Sequence, residues 1–164
     1  MDAQKKMNLF IVDDDKLMSI TLKGFLEIKF GIDINITIFS SGEDALKKID
    51  DTTNIVILDY LLDGKNGLEI LKLIKEKNPK TEVVMLSSNE DIALAIDSFR
   101  AGAKDYIVKG RGSWNQISRL VMRVITKPIR ILVKEFGISK YIAIFLMTFV
   151  TMGLMVFFIL KMLR

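Results

Sequence analysis

A run of 20 residues without a charged side chain lies near the end of this 164-residue chain. It extends from Tyr141 to Leu160 and reads YIAIFLMTFVTMGLMVFFIL. A helix of that length is about 30 Å long, which matches the hydrocarbon core of a bilayer. The alternative is a buried helix of a soluble domain, but such a helix rarely continues this far without a polar face. The run therefore predicts a transmembrane anchor at residues 141–160, with residues 161–164 as a short tail beyond it.

The basic residues of the chain are concentrated around this run. Residues 1–126 hold 18 Lys and Arg against 19 Asp and Glu, whereas residues 127–164 hold six basic residues and one acid. The net charge of +4 therefore belongs to the tail and does not indicate a nucleic-acid partner. More basic residues precede the run than follow it, so the positive-inside bias places the N-terminal domain in the cytoplasm.

Residues 127–140 form a basic linker between the N-terminal domain and the predicted anchor. Apolar residues recur at helical spacing on one face of this segment, and Arg130 and Lys134 share another face. Two interpretations are open: an amphipathic helix on an anionic leaflet, or a continuation of the preceding helix.

The composition excludes several kinds of chemistry. The chain contains no cysteine and no histidine. Disulfides, cysteine nucleophiles, structural zinc sites, Ser–His triads and a phosphohistidine are therefore excluded. Carboxylates, hydroxyls, lysines and a bound cation remain.

The first 126 residues alternate between short apolar runs and helical patterns. The predicted strands are 9–12, 34–39, 55–58, 83–86 and 106–108, and the predicted helices are 16–30, 42–49, 67–77, 92–102 and 113–126. Five strand–helix units with nearly continuous apolar strands predict an α/β domain with a doubly wound, five-stranded parallel sheet. In such sheets, functional residues lie at the carboxyl ends of the strands.

Polar residues stand at the predicted carboxyl ends of four strands: Asp13–Asp15, Asp59, Ser87 and Lys109. Taken singly, they are explained as a helix cap, a turn residue, a satisfied hydroxyl and a solvated charge. Taken together, they predict one polar pocket, because parallel strands end at the same edge. Clustered carboxylates repel one another unless a cation holds them, and oxygen ligands of this kind suit Mg²⁺.

Four sequence blocks carry a resemblance to a known family. They are Phe10–Asp15, Ile55–Leu71, Val83–Ser88 and Arg100–Lys109. Over about residues 5–126 the chain resembles the response-regulator receiver domain of bacterial two-component signalling. The resemblance implies a flavodoxin-like receiver fold and a role in phosphorelay.

The resemblance also implies roles for the acidic residues. Asp59 corresponds to the phosphoacceptor, and Asp13 and Asp14 correspond to the acid pair that holds Mg²⁺, with Asp14 as the more direct ligand. The backbone carbonyl of Leu61 corresponds to a further metal ligand.

Three further residues correspond to the family's phosphate-sensing groups. Ser87 matches the hydroxyl that bonds the phosphoryl group, Lys109 the lysine that pairs with phosphoaspartate, and Tyr106 the aromatic residue that moves with Ser87. The output surface implied by the family is about residues 92–118.

The sequence departs from the family pattern at three positions. Asp63 and Gly110 stand where the family commonly has proline. Leu61 stands two residues after the acceptor, at a position that influences hydrolysis in the family. We expect its apolar side chain to hinder the attacking water and lengthen the phosphorylated lifetime.

Together, these features predict a membrane-anchored, single-domain response regulator rather than a stand-alone enzyme. The expected partners are a sensor histidine kinase or histidine phosphotransfer protein, the lipid bilayer of a bacterial inner membrane, and a membrane-protein output partner. The alternative is a pseudo-receiver, which is a membrane-tethered scaffold that binds partners without phosphorylation. The two differ in whether Asp59 accepts phosphate.

Three other classes fit the sequence poorly. A haloacid-dehalogenase-type phosphatase needs a second Asp two residues after the nucleophile, where this chain has Leu61. Dinucleotide binding needs G-x-G-x-x-G after the first strand, which is absent. The 38 residues after position 126 include the predicted anchor and are too few to add a helix-turn-helix domain.

Overall fold

The computed structural model describes residues 6–31, 34–64, 66–126 and 140–162. The chain divides into two compact units, Met1–Val121 and Met122–Arg164. Most of the predicted linker, residues 127–139, lies outside the described residues, so neither interpretation of it is tested.

Five strands alternate with five helices in the N-terminal part of the chain. The strands are β1 (Met7–Val12), β2 (Ile34–Phe39), β3 (Thr53–Asp59), β4 (Glu82–Ser87) and β5 (Asp105–Val108). The helices are α1 (Lys16–Phe30), α2 (Gly42–Lys48), α3 (Gly67–Lys77), α4 (Ile92–Arg100) and α5 (Ser113–Ile125). The strands pair in parallel in the order β2-β1-β3-β4-β5. This confirms the predicted doubly wound, flavodoxin-like sheet.

The central strands are buried because their apolar side chains alternate between two covered faces of the sheet. In β3, the four residues from Ile55 to Leu58 are each at most 1% exposed. Burying a side chain of this kind contributes about 1.5–3 kcal/mol. The interior strands therefore form a stable base for the residues at their carboxyl ends.

Short polar side chains cap the N-termini of four helices. Asp15 accepts a hydrogen bond from the Met18 N–H at 3.0 Å, and Ser41 accepts one from the Asp44 N–H at 3.2 Å. Asn66 and Asp91 cap α3 and α4 in the same way. Each cap satisfies an N–H that the helix itself leaves without a partner. The capping interpretation of the acidic triplet thus holds for Asp15.

The described part of the second unit contains one long helix, α6 (Lys140–Met162). Its stretch from Ile144 to Met162 is long and apolar enough to cross a membrane, with mean hydropathy 2.2. The hydroxyls of Thr148 and Thr151 donate to backbone carbonyls of the same helix. Such internal hydrogen bonds satisfy polar groups that hydrocarbon cannot. The helix is therefore a candidate membrane span.

Candidate functional site

The end of β1 separates two neighbouring acids into different environments. Asp13 is buried, and its Oδ1 accepts a hydrogen bond from the Asp15 N–H at 3.0 Å. The backbone carbonyl of Asp13 also accepts from the Ser19 hydroxyl, at 3.3 Å. Asp14 is exposed. The Asp13 carboxylate is consequently fixed, whereas the Asp14 carboxylate faces solvent.

The end of β3 holds Asp59 in a tightly packed turn. Asp59 is 5% exposed, and its Oδ1 accepts a hydrogen bond from the Leu61 N–H at 3.4 Å. The Gly67 N–H donates to the Tyr60 carbonyl at 2.8 Å. A Cβ on Gly67 would overlap the Asp59 carbonyl oxygen, so only glycine allows this approach. The start of α3 therefore fixes the backbone that carries Asp59.

Lys109 brings the two buried acids together at the end of β5. Its Nζ lies 2.6 Å from Asp59 Oδ2 and 2.9 Å from Asp13 Oδ2. The Lys109 N–H donates to the Ser87 carbonyl at 2.7 Å, which fixes the lysine backbone against β4. The peptide between Lys109 and Gly110 is trans, so the lysine reaches both acids with glycine in place of the family's proline.

The charges of Asp13, Asp59 and Lys109 lie close enough to act on one another. Burial raises the pKa of the Asp59 carboxyl, and the nearby Asp13 charge adds to this, while Lys109 acts in the opposite direction. Burial disfavours the charged form of Lys109, but its hydrogen bonds to Asp59 and Asp13 outweigh this and raise the pKa of the ammonium group. The lysine is thus held charged, and ionised Asp59 is costly without further positive charge.

Three carboxylates converge at this point. One oxygen from each of Asp13, Asp14 and Asp59 lies within 4.8 Å of the others. A donor set made only of oxygens is the kind that Mg²⁺ prefers. The residues therefore fit a divalent cation, which would also offset the unfavourable charge at Asp59.

Ser87 lies at the carboxyl end of β4, and Tyr106 lies in the neighbouring strand β5. Ser87 is fully buried, and its hydroxyl oxygen accepts a hydrogen bond from the Asn89 N–H at 3.1 Å. The Tyr106 hydroxyl donates to the Asn89 carbonyl at 2.8 Å. The peptide groups of one residue, Asn89, therefore contact both side chains.

The structure thus brings together the four charged residues that the sequence places at strand ends: Asp13, Asp14, Asp59 and Lys109. It places Ser87 and Tyr106 at neighbouring strands, where both contact Asn89. Neither Asn89 nor Gly67 is among the site residues that the sequence predicts. Asn89 acts through backbone atoms, which leave no residue-type signal, but the position of Gly67 at the start of a predicted helix was a usable signal.

Comparison with known proteins identifies the class to which this fold and this pocket belong. Residues 9–130 match the family model described as the response regulator receiver domain. The chain belongs to this family.

Receiver domains accept a phosphoryl group on an aspartate and generally bind Mg²⁺ at an acidic pocket. They interact with sensor histidine kinases or phosphotransfer proteins.

Individual relatives agree with this membership. The chain is 36% identical over 103 residues to the transcriptional regulatory protein FlgR of Helicobacter pylori. The aligned region covers 63% of this chain and 26% of FlgR. The chain is also 33% identical over 132 residues to a protein-glutamate methylesterase/protein-glutamine glutaminase of Thermotoga maritima. That aligned region covers 78% of this chain and 38% of the relative. The chain thus spans less than half of these relatives, and the activities in their names belong to them.

A solved structure supports the fold. The BeF₃-activated receiver domain of DrrB from Thermotoga maritima superposes with a TM-score of 0.66 at 29% identity. The match covers 74% of this chain and 99% of that domain.

Proposed function

We propose that this chain is a membrane-anchored response regulator that accepts a phosphoryl group on Asp59. The donor is a phosphohistidine of a sensor kinase or of a histidine phosphotransfer protein, and the reaction takes place at the cytoplasmic face of a bacterial inner membrane. One observation carries the proposal: the Lys109 ammonium contacts Asp59 at 2.6 Å and Asp13 at 2.9 Å, with Asp14 beside them.

The reaction requires an ionised carboxylate and positive charge around the phosphorus. A carboxylate oxygen of Asp59 forms the new P–O bond as the P–N bond to the donor histidine breaks, and the imidazole leaves with the electron pair of that bond. The equatorial oxygens carry negative charge throughout, and Lys109 lies where it neutralises part of that charge. The product is an aspartyl phosphate, with about one more negative charge than the carboxylate.

The carboxylates of Asp13, Asp14 and Asp59, with the backbone carbonyl of Leu61, are the groups that would hold Mg²⁺. A bound Mg²⁺ supplies positive charge to the phosphoryl oxygens. Because Asp13 is engaged by Lys109 and by the Asp15 N–H, the exposed Asp14 is the freer of the acid pair to bind a cation directly.

The response to phosphate begins at Ser87 and Lys109. Both groups are expected to shift toward the new phosphoryl oxygens, and Ser87 must then release its hydrogen bond from the Asn89 N–H. Tyr106 is bonded to the same peptide segment, so the movement changes its environment. The proposed output surface, about residues 92–118, includes α4, which carries exposed Ile92 and Phe99.

The helix α6 supports the anchoring part of the proposal. Confinement to a bilayer raises the effective concentration of the receiver toward membrane kinases and membrane output partners. The domain promotes its own phosphorylation and dephosphorylation, and we do not propose a separate enzymatic activity.

Transfer of radiolabelled phosphate distinguishes this proposal from the scaffold alternative. Intact protein with Mg²⁺ is incubated with a labelled phosphohistidine donor or a small phosphodonor, beside an Asp59→Asn variant. We expect label on the wild type that requires Mg²⁺ and is absent from the variant. Wild type that stays unlabelled with both donors contradicts the proposal and favours a pseudo-receiver scaffold.

A further inference from the structure

The two edges of the sheet differ in charge. At the carboxyl edge, the acidic pocket is joined by the exposed acids Glu90 and Asp91. At the amino edge, an exposed lysine precedes four of the five strands. These amino-edge lysines are Lys6 before β1, Lys48 before β3, Lys80 before β4 and Lys104 before β5.

The amino-edge lysines are available to an external partner. Among the residues that the structure describes, their ammonium groups make no hydrogen bond or ion pair. Lys6, Lys80 and Lys104 also lie outside the helices, so compensation of helix dipoles does not account for them.

The direction of the helices adds further basic residues to the amino edge. The helices run antiparallel to the strands, so their last turns lie at the amino edge. Basic residues occupy the last turns of α1 to α4, among them Lys29, Lys77 and Arg100. Acids at the same edge, among them Asp50, Asp51 and Asp105, keep their charge and reduce this excess, but the basic residues outnumber them.

The chain leaves the receiver unit on this basic side. Helix α5 starts at the carboxyl edge with Ser113 and runs toward the amino edge, and the first unit ends within it at Val121. Fourteen residues separate the end of α5 at Ile125 from Lys140, where α6 begins. A fully extended segment of that length would reach about 48 Å, so its length alone does not fix the orientation of the domain.

We propose that the amino-edge lysines face the anionic headgroups of the membrane that holds the chain, and that this contact points the acidic pocket toward the cytoplasm. The inference rests on the proposed membrane anchoring. Each lysine close to an anionic leaflet favours that position by about fivefold, and the same surface repels the acidic carboxyl edge. The preference decays within about 8 Å at physiological ionic strength, so it is sensitive to salt. The orientation leaves Asp59 open to a phosphodonor.

The absence of native cysteine allows a direct test on the full chain. Single cysteines at the exposed positions Pro79 (Pro79→Cys, amino edge) and Ser88 (Ser88→Cys, carboxyl edge) carry a spin label. The protein is placed in nanodiscs of phosphatidylcholine alone or mixed with phosphatidylglycerol, with a nickel chelate on a few lipid headgroups. We expect relaxation of the label at position 79 to increase in the anionic discs and to return toward the neutral value in high salt. The label at position 88 stays unaffected.

Matched triple variants test the lysines themselves. Lys6, Lys80 and Lys104 are changed to Gln in one protein, and Lys16, Lys72 and Arg111 in the other, which removes the same charge elsewhere on the surface. We expect only the first variant to lose the lipid-dependent signal at position 79. Equal signals in both lipids for wild type, or equal behaviour of the two variants, overturns the inference.

Different results would contradict the proposed membrane anchor and the proposed orientation of the domain. A chain that washes off the bilayer at alkaline pH contradicts the anchor, and this inference with it. A chain that stays bound without lipid-dependent relaxation contradicts this inference alone. Neither result depends on phosphorylation of Asp59.

Discussion

At the scale of single residues, the Lys109 ammonium group contacts two buried carboxylates. Lys109 lies within hydrogen-bond distance of both Asp59 and Asp13, and its side chain is only 20% exposed. Removing one preorganised hydrogen-bond donor that stabilises a transition state typically costs a factor of about 100 to 1,000 in rate. Lys109 is therefore central to the proposed chemistry.

Lys109→Met is expected to lower the rate of Mg²⁺-dependent labelling of Asp59 by roughly 100-fold, because the phosphoryl oxygens lose a neutralising charge. The initial rate of label incorporation from a small phosphodonor measures this effect. Lys16→Met, which removes an exposed lysine at the start of α1, is the control and should label at nearly the wild-type rate. Equal rates for the Lys109 variant and the control would falsify the role given to Lys109.

The buried Asp59 carboxyl makes stability depend on pH. Burial raises the pKa of Asp59 above its ordinary value of 3.8, so the ionised group destabilises the metal-free fold. Well below pH 3.8 the carboxyl is protonated whether folded or unfolded, and this cost is absent. As pH rises from there through the raised pKa, wild type is expected to lose stability relative to Asp59→Asn. Urea unfolding at a series of pH values measures the difference, and a relative gain in stability for wild type over that interval would contradict this prediction.

Leu61 is expected to protect the aspartyl phosphate from water. The residue is 61% exposed, and its N–H contacts the Asp59 carboxylate. Leu61→Asn adds an amide that can hold an attacking water, so the phosphorylated lifetime should shorten severalfold. Decay of bound label after removal of the donor measures the lifetime, with Leu61→Met as the apolar control. An asparagine variant that loses phosphate no faster than the methionine variant contradicts the hypothesis.

At the scale of secondary-structure elements, apolar periodicity predicts most of the fold. The prediction of α1 at 16–30 agrees with the structure, and the predicted strand 9–12 is β1 without its first two residues. The missing residues include Asn8, whose side chain bonds Thr52 and whose N–H bonds Asn54. Polar contacts between distant segments leave no periodic signal, so the start of this strand could not be predicted.

The candidate site, like the fold, is only partly predictable from the sequence. Strand ends predict which acids and which lysine converge, because parallel strands align their carboxyl ends. The sequence does not predict that Asp13 is buried while Asp14 is exposed, because that depends on how the turn packs over the sheet. It also does not predict that Asn89 contacts both Ser87 and Tyr106, because those contacts use backbone atoms.

Gly67 connects α3 to the acceptor strand, and a side chain there would meet the Asp59 carbonyl. Gly67→Ala should displace this turn, lower the free energy of unfolding by about 1–3 kcal/mol and weaken Mg²⁺ binding. Gly24→Ala is the control, because nothing lies within 4 Å of the added methyl and alanine favours the helix. Chemical unfolding and a Mg²⁺ titration measure the two effects. A Gly67 variant as stable as the Gly24 variant contradicts the packing argument.

At the scale of the whole molecule, the chain combines a receiver domain with a candidate membrane span. Helix α6 contains the uncharged run at 141–160, and the large apolar side chains that the structure describes in it are exposed. An exposed helix of this composition needs an apolar environment, which a bilayer supplies.

Charges placed in α6 test the anchor. Phe149→Arg combined with Leu154→Arg should move the chain from the membrane fraction to the soluble fraction, because each arginine near the helix centre costs about 2.5–3.5 kcal/mol of insertion free energy. Phe149→Leu combined with Leu154→Phe is the apolar control and should stay in the membrane fraction after an alkaline wash. Equal fractionation of the two variants contradicts a spanning helix.

Chemical reduction of the phosphorylated protein shows which residue carries the phosphate. After incubation with phosphodonor and Mg²⁺, borohydride reduces an aspartyl phosphate to homoserine, and peptide mass spectrometry identifies the reduced residue. We expect homoserine at position 59, dependent on both Mg²⁺ and donor. Homoserine at another acid such as Asp13 or Asp14, or at none, contradicts this prediction.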